Sequence, residues 1–218
     1  MQRDMMSTRK QAVENTKQPT GPLAKLGTIL PWLLMVSGII GLLASIMLTY
    51  DQVRIWQNPH YQPGCDLNPL ISCGSVITSG QGELFHIPGP FFGLITFPVI
   101  ITIGVAILAG ARFKRWFWQG LQAGAAAGVL FALWMFWESL FRIHALCPFC
   151  LTVDVVMYVL FWYVTLYNLG EEHIKTPSWL ARSVQFSRRH HLDILLVWFL
   201  AVAAYTIYHF WYYFGKHI

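Results

Sequence analysis

Two cysteines separated by two residues, Cys147-Pro148-Phe149-Cys150, stand directly before a long apolar run, Leu151 to Leu169. The chain has only two other cysteines, Cys65 and Cys73, which enclose Asp-Leu-Asn-Pro-Leu-Ile-Ser. In a Cys-x-x-Cys pair one sulfur attacks and the other resolves. A helix N-terminus carries partial positive charge, which favours thiolate there. Pro148 suits the first helical turn, where a missing N–H costs little. These features predict a redox pair, with Cys147 at the rim and Cys150 nearly one turn deeper, facing a helix bundle. A disulfide between Cys65 and Cys73 would close a small loop. In a mobile loop it would shuttle electrons from an outside thiol to Cys147, each step being attack of one thiolate on the next disulfide. Other uses of the four cysteines are two structural disulfides, a zinc site aided by His144, or inert apolar packing. A Cys-x-x-Cys bridge at a span edge clamps almost nothing, and zinc more often takes two short-spaced pairs. A redox relay is therefore the preferred reading, and no metal is expected.

The elements that must position these thiols are membrane spans. Of 218 residues, 56% are hydrophobic and 11% charged, against about 25% charged in soluble domains. The net charge is +5, but no basic stripe interleaves with stacking aromatics, so nucleic acid is not an expected partner. Residues 1–27 are polar and basic and read as a cytoplasmic tail. Residues 28–48 carry no charge and reach roughly 32 Å as a helix, enough for the hydrocarbon core. No convincing cleavage site follows, so this is read as a retained span. Further spans are expected at 90–109, 119–141, 149–169 and 192–214, with a hydrophilic excursion at 50–87 and a polar loop at 170–191. Trp116 and Trp118 read as interfacial anchors, and the small residues of 120–128 as a face for close helix packing. Five spans put the tail, the 110s turn and the 170–191 loop on one side. Those segments hold 12 Lys and Arg, against 3 (Arg54, Arg142 and Lys216) on the other. The basic side is expected to be cytoplasmic, which leaves both cysteine pairs at the extracytoplasmic edge of an inner membrane.

In these residues the sequence resembles the vitamin K epoxide reductase family, in particular its bacterial members. The likeness covers roughly Thr28 to Leu169. Its carriers are Cys65-Asp66-Leu67-Asn68-Pro69-Leu70-Ile71-Ser72-Cys73, then Ser79, then Ile87-Pro88 ahead of Phe92-Gly93, and last Cys147-Pro148-Phe149-Cys150. DsbB-type oxidases carry their Cys-x-x-Cys in the first outer loop, whereas here it lies in the second. The five spans make the chain an all-α membrane protein of five transmembrane helices, and the resemblance implies their arrangement. The first four would form a bundle around a quinone, capped by the first outer loop. It also implies roles: Cys65 meets an external partner, Cys73 relays to Cys147, Cys150 faces the quinone ring, and Ser79 is the small hydroxyl residue nearby. Many bacterial relatives carry a thioredoxin-like domain after the fifth span, and here only Gly215 to Ile218 remain. A separate DsbA-like or thioredoxin-like partner is therefore expected. Two positions depart from the family pattern. Gly89 stands where some members place an Asn, and Asp154 where the animal enzymes have a Tyr.

Asp154 lies one helical turn below Cys150 inside a span, where carboxyls are costly and often functional. A quinone-side hydrogen bond or proton relay is weighed against a carboxyl that pairs with a neighbouring helix or reaches water. Phe92 and His86 are further quinone-side candidates, with core packing and an ordinary interfacial histidine as their alternatives. Glu138 is expected to pair with Arg142 at i,i+4. The expected activity is a quinone-dependent thiol–disulfide oxidoreductase that makes disulfides for exported proteins. Its acceptor would be a quinone of the menaquinone or ubiquinone type. The alternatives are reduction of a vitamin K-type quinone or its epoxide by partner thiols, and a non-catalytic membrane scaffold.

Overall fold

The computed structural model describes residues 22–80, 83–84, 87–171 and 181–215. Residues 1–21 of the expected tail and His86 lie outside them. The order is α1 (Pro22–Gln57), α2 (Cys73–Ile77), β1 (Glu83–Leu84), β2 (Ile87–Pro88), α3 (Gly89–Leu108) and α4 (Arg115–Glu138). A π-helical turn (Ser139–Ile143), α5 (Pro148–Gly170), α6 (Ala181–Arg189) and α7 (His191–Gly215) follow. Five of these helices are long and apolar enough to cross a membrane. With every backbone group bonded inside the segment, helices are one of the two structures that lipid permits. The strands form a two-residue antiparallel hairpin just ahead of α3. The chain is an all-α membrane protein.

Helix α1 is the hub. It packs most extensively on α3, then on α5, and α5 in turn packs on α4. Close approach of α1 and α3 is set by glycines. A Cβ on Gly38 would lie 2.7 Å from Ile101 Cγ1, and one on Gly104 would lie 2.9 Å from the Pro31 carbonyl oxygen. Gly41 faces the ring of Phe97, and Gly93 faces Ser45. Small residues substitute here for the hydrophobic driving force that helices lack in lipid. Phe97 is 1% exposed and cannot swing away. Gly41→Ala is therefore expected to destabilise the bundle by about 1–3 kcal/mol through overpacking, read as a lower Tm in detergent. The small-residue face expected in 120–128 is used less. A Cβ on Gly120 or Gly124 would meet no other element within 4 Å among the described residues, whereas one on Gly128 would run into the methyl of Met157.

Two apolar clusters fill the bundle. One runs through Leu30, Leu34, Phe97, Trp118, Leu160 and Val164. Trp118 belongs there rather than at the interface, being 4% exposed, whereas Trp116 is 69% exposed. Beside it Asn168 donates to the Trp118 carbonyl at 3.2 Å and to Gln122 Oε1 at 3.1 Å, and Gln122 donates to Thr165 at 2.8 Å. These bonds tie α4 to α5 with polar side chains. The second cluster, at the other end, contains Leu48, Val76, Ile77, Ala145, Cys73 and Cys147. Helix α7 lies against the bundle through a few contacts. A ring nitrogen of His209 sits 3.0 Å from the Leu140 carbonyl, and Tyr158 meets Trp198 and Phe199 edge-on.

Candidate functional site

The loop from Asn58 to Ser72 is ordered by its own polar side chains. Asn68 Oδ1 accepts from the N–H of Leu70 and of Ile71, at 3.0 and 2.7 Å. This is the local turn chemistry Asn favours. Asp66 Oδ1 accepts from the Gly74 N–H at 2.9 Å. A Cβ on Gly74 would come within 2.7 Å of the other oxygen of Asp66, so glycine is what lets the carboxylate reach the backbone. Ser72 caps α2 by accepting from the Ser75 N–H at 3.1 Å. Cys73 is thereby the first residue of a short helix.

A second strap brings in the other pair. After the π-helical turn, His144 takes a left-handed conformation with φ of 56°. That redirects the chain, and Leu146 then bonds the loop on both sides. Its N–H donates to the Leu70 carbonyl at 2.7 Å, and its carbonyl accepts from the Ser72 N–H at 3.1 Å. The result is an isolated parallel bridge of Ile71 with Leu146. Each bridged stretch runs straight into a cysteine, Cys73 on one side and Cys147 on the other. The two sulfurs lie 3.3 Å apart and both residues are buried. Cys65 and Cys73 are disulfide-bonded, whereas Cys147 and Cys150 are free thiols. The four cysteines thus form one continuous series.

Cys147 is the N-cap of α5, and its sulfur accepts from the Cys150 N–H at 3.3 Å. The hydrogen bond from the Cys150 thiol, with the Cys150 and Phe149 N–H groups, lowers the Cys147 thiol from its ordinary range; burial and the Asp154 charge oppose this. Cys147 is thus more readily ionised than an ordinary thiol, which suits it to leave or to enter an exchange as thiolate. Its ultraviolet thiolate absorbance is expected to rise at lower pH than that of an ordinary cysteine. Cys150→Ala removes the first of those donors, so the rise should move to higher pH; an unmoved inflection would contradict this cause.

The other candidate residues divide. The Asp154 carboxyl, one turn below Cys150 on α5, has no hydrogen-bond or ion-pair partner among the described residues. The Ser79 hydroxyl donates to the Val76 carbonyl at 2.6 Å, which leaves its lone pairs as its free function. Phe92 is half-buried near the start of α3. His144 Nδ1 lies 3.2 Å from the Arg142 carbonyl. Glu138 forms the i,i+4 ion pair with Arg142 at 3.4 Å. Sequence reasoning missed Asp51, whose Oδ2 lies 3.9 Å from Cys65 Sγ. The hydrophilic excursion expected from residue 50 begins later, because α1 continues through Asp51 to Gln57. The signal was Leu48, Asp51, Gln52 and Ile55, an i, i+3, i+4, i+7 face that turns inward.

No curated protein matches the chain. The model of the vitamin K epoxide reductase family matches residues 32–165, which takes in both cysteine pairs, the bridge between them and the greater part of the first four spans. The chain belongs to the vitamin K epoxide reductase family.

Proposed function

We propose that the protein is a membrane thiol–disulfide oxidoreductase that oxidises the dithiol of a separate DsbA-like or thioredoxin-like partner and reduces a membrane quinone. The observation that carries this reading is the 3.3 Å contact between Cys73 and Cys147, which joins a loop pair to a pair at the top of a span. A scaffold with static disulfides has no use for that contact. The partner's thiolate attacks Cys65 and releases Cys73, and the partner's second thiol then attacks the partner sulfur of that mixed disulfide, closing the partner's own disulfide and releasing Cys65. The Cys73 thiolate attacks Cys147 in its disulfide with Cys150 and releases Cys150. Cys65 then attacks Cys73, restoring the loop disulfide and freeing Cys147. The arrangement seen here, loop pair oxidised and bundle pair reduced, is the state that follows these steps.

Closing the Cys147–Cys150 disulfide again releases two electrons and two protons. A quinone of the menaquinone or ubiquinone type supplies the two-electron acceptor when bound. The residues fit such a substrate: Cys150 presents the thiol, and unpartnered Asp154 one turn deeper is a proton-transfer group. Phe92 and Ser79 are further candidates, for apolar contact and hydrogen-bond acceptance. The charge asymmetry of 12 to 3 supports a cytoplasmic N-terminus and an extracytoplasmic cysteine edge in the inner membrane, the oxidising side. The test is turnover of a soluble quinone analogue by the purified protein with a reduced thioredoxin-fold protein as donor. Quinol and donor disulfide should form together. Turnover of a quinone epoxide without disulfide formation in exported proteins would instead assign the reductase direction that the family name carries.

A further inference from the structure

The outer end of α1 holds a group that the relay above does not use. Asp51 is 7% exposed, although it sits on the last turns of a helix that ends in an aqueous loop. Burying a carboxylate there is costly unless something compensates or requires it. Its two oxygens are differently engaged. Oδ1 accepts from the Tyr61 hydroxyl at 3.1 Å, and Oδ2 faces Cys65 Sγ at 3.9 Å. In the disulfide Cys65 has no proton to give, so this approach is not yet a hydrogen bond. Once the disulfide opens, the same approach brings a thiol or thiolate within reach of the carboxyl.

The surrounding charges leave that role to Asp51. Asp66, the nearest other carboxylate, is held by the Gly74 N–H. The Arg54 guanidinium lies over the rings of Tyr61 and Tyr50, at 5.2 and 5.8 Å, so it braces Tyr61. Cys73, on the element facing α1, is in the disulfide and has no proton to exchange. Partial desolvation, followed by the hydrogen bond to Asp51, raises the Tyr61 phenol above its ordinary range. Tyr61 therefore stays a donor and fixes which carboxyl oxygen turns to Cys65.

We propose that Asp51 is the proton acceptor and donor for thiol exchange at Cys65, with Tyr61 as its positioning residue. The inference rests on Cys65 being the entry point for an external dithiol. As the first external thiol attacks Cys65 Sγ, it gives its proton to Asp51. The new sulfur–sulfur bond forms, the Cys65–Cys73 bond breaks, and Cys73 leaves as a thiolate. The second external thiol, deprotonated to solvent, attacks the first external sulfur and closes the external disulfide. Cys65 leaves with the electron pair and takes the proton back from Asp51. The loop disulfide gains two electrons and the external dithiol loses two.

The test measures reduction of the Cys65–Cys73 disulfide by dithiothreitol across a pH series, in the full-length protein in detergent. Asp51→Asn keeps the shape and the acceptor for Tyr61 but cannot carry the proton. Its rate near neutral pH should fall roughly tenfold or more. Its profile should then follow dithiothreitol ionisation alone. Tyr61→Phe should keep the inflection of the wild-type profile but displace it, which loss of a merely structural contact would not do. A wild-type rate and profile in Asp51→Asn overturns the proposal. If Asp51→Asn fails to fold, by Tm, an undisplaced profile in Tyr61→Phe overturns it. Neither readout involves quinone, so absent quinone turnover, which would sink the proposed function, is a separate result.

Discussion

Cys150→Ser is expected to stop quinone reduction, lowering turnover by about three orders of magnitude or more, as removal of an essential nucleophile does. The reason is electron accounting. Two electrons leave the thiol system only when Cys147 and Cys150 join. Without Cys150, Cys147 has one sulfur within reach, that of Cys73 at 3.3 Å. The variant protein still holds one disulfide equivalent, so at most a single round of partner oxidation should survive while steady-state turnover does not. Stopped-flow absorbance of a quinone analogue, with excess reduced donor, separates the two. Full steady-state turnover in the variant would remove Cys150 from the path.

Asp154→Asn should slow quinone reduction by roughly a hundredfold, the scale of a lost general acid or base. The same change should raise Tm, because an unpartnered carboxyl inside a span is a standing cost. Loss of rate with gain of stability is the signature of a group retained for chemistry. A structural Asp154, paired with a neighbouring helix, would give the opposite: a lower Tm at nearly unchanged rate. Measuring both on the same preparation decides between them.

Five apolar helices were legible because hydropathy reports what lipid requires, and the cysteine spacing was legible because exchange chemistry needs paired sulfurs. What hydropathy could not report was where a helix continues beyond the lipid. Helix α1 runs to Gln57 rather than stopping near Leu48, since Asp51, Gln52 and Arg54 lower hydropathy without breaking helical period. That extension carries Asp51 to the side of Cys65. The meeting of Cys73 with Cys147 was also beyond local reading. It depends on the parallel bridge of Ile71 with Leu146 and on left-handed His144, neither of which has a sequence period. Trp118 departs from expectation for a related reason. A Trp beside a basic turn fits an interfacial anchor, but its register on α4 turns it into the core beside Asn168.

The relay stands on one connection, and mass spectrometry of the Cys150→Ser protein tests it directly. After the loop disulfide forms, Cys147 has no resolving partner, so its attack on Cys73 should trap a disulfide joining the two peptides and leave Cys65 as a free thiol. Linkage of Cys147 to Cys65 instead, or an unchanged Cys65–Cys73 disulfide with Cys147 free, would contradict transfer through Cys73.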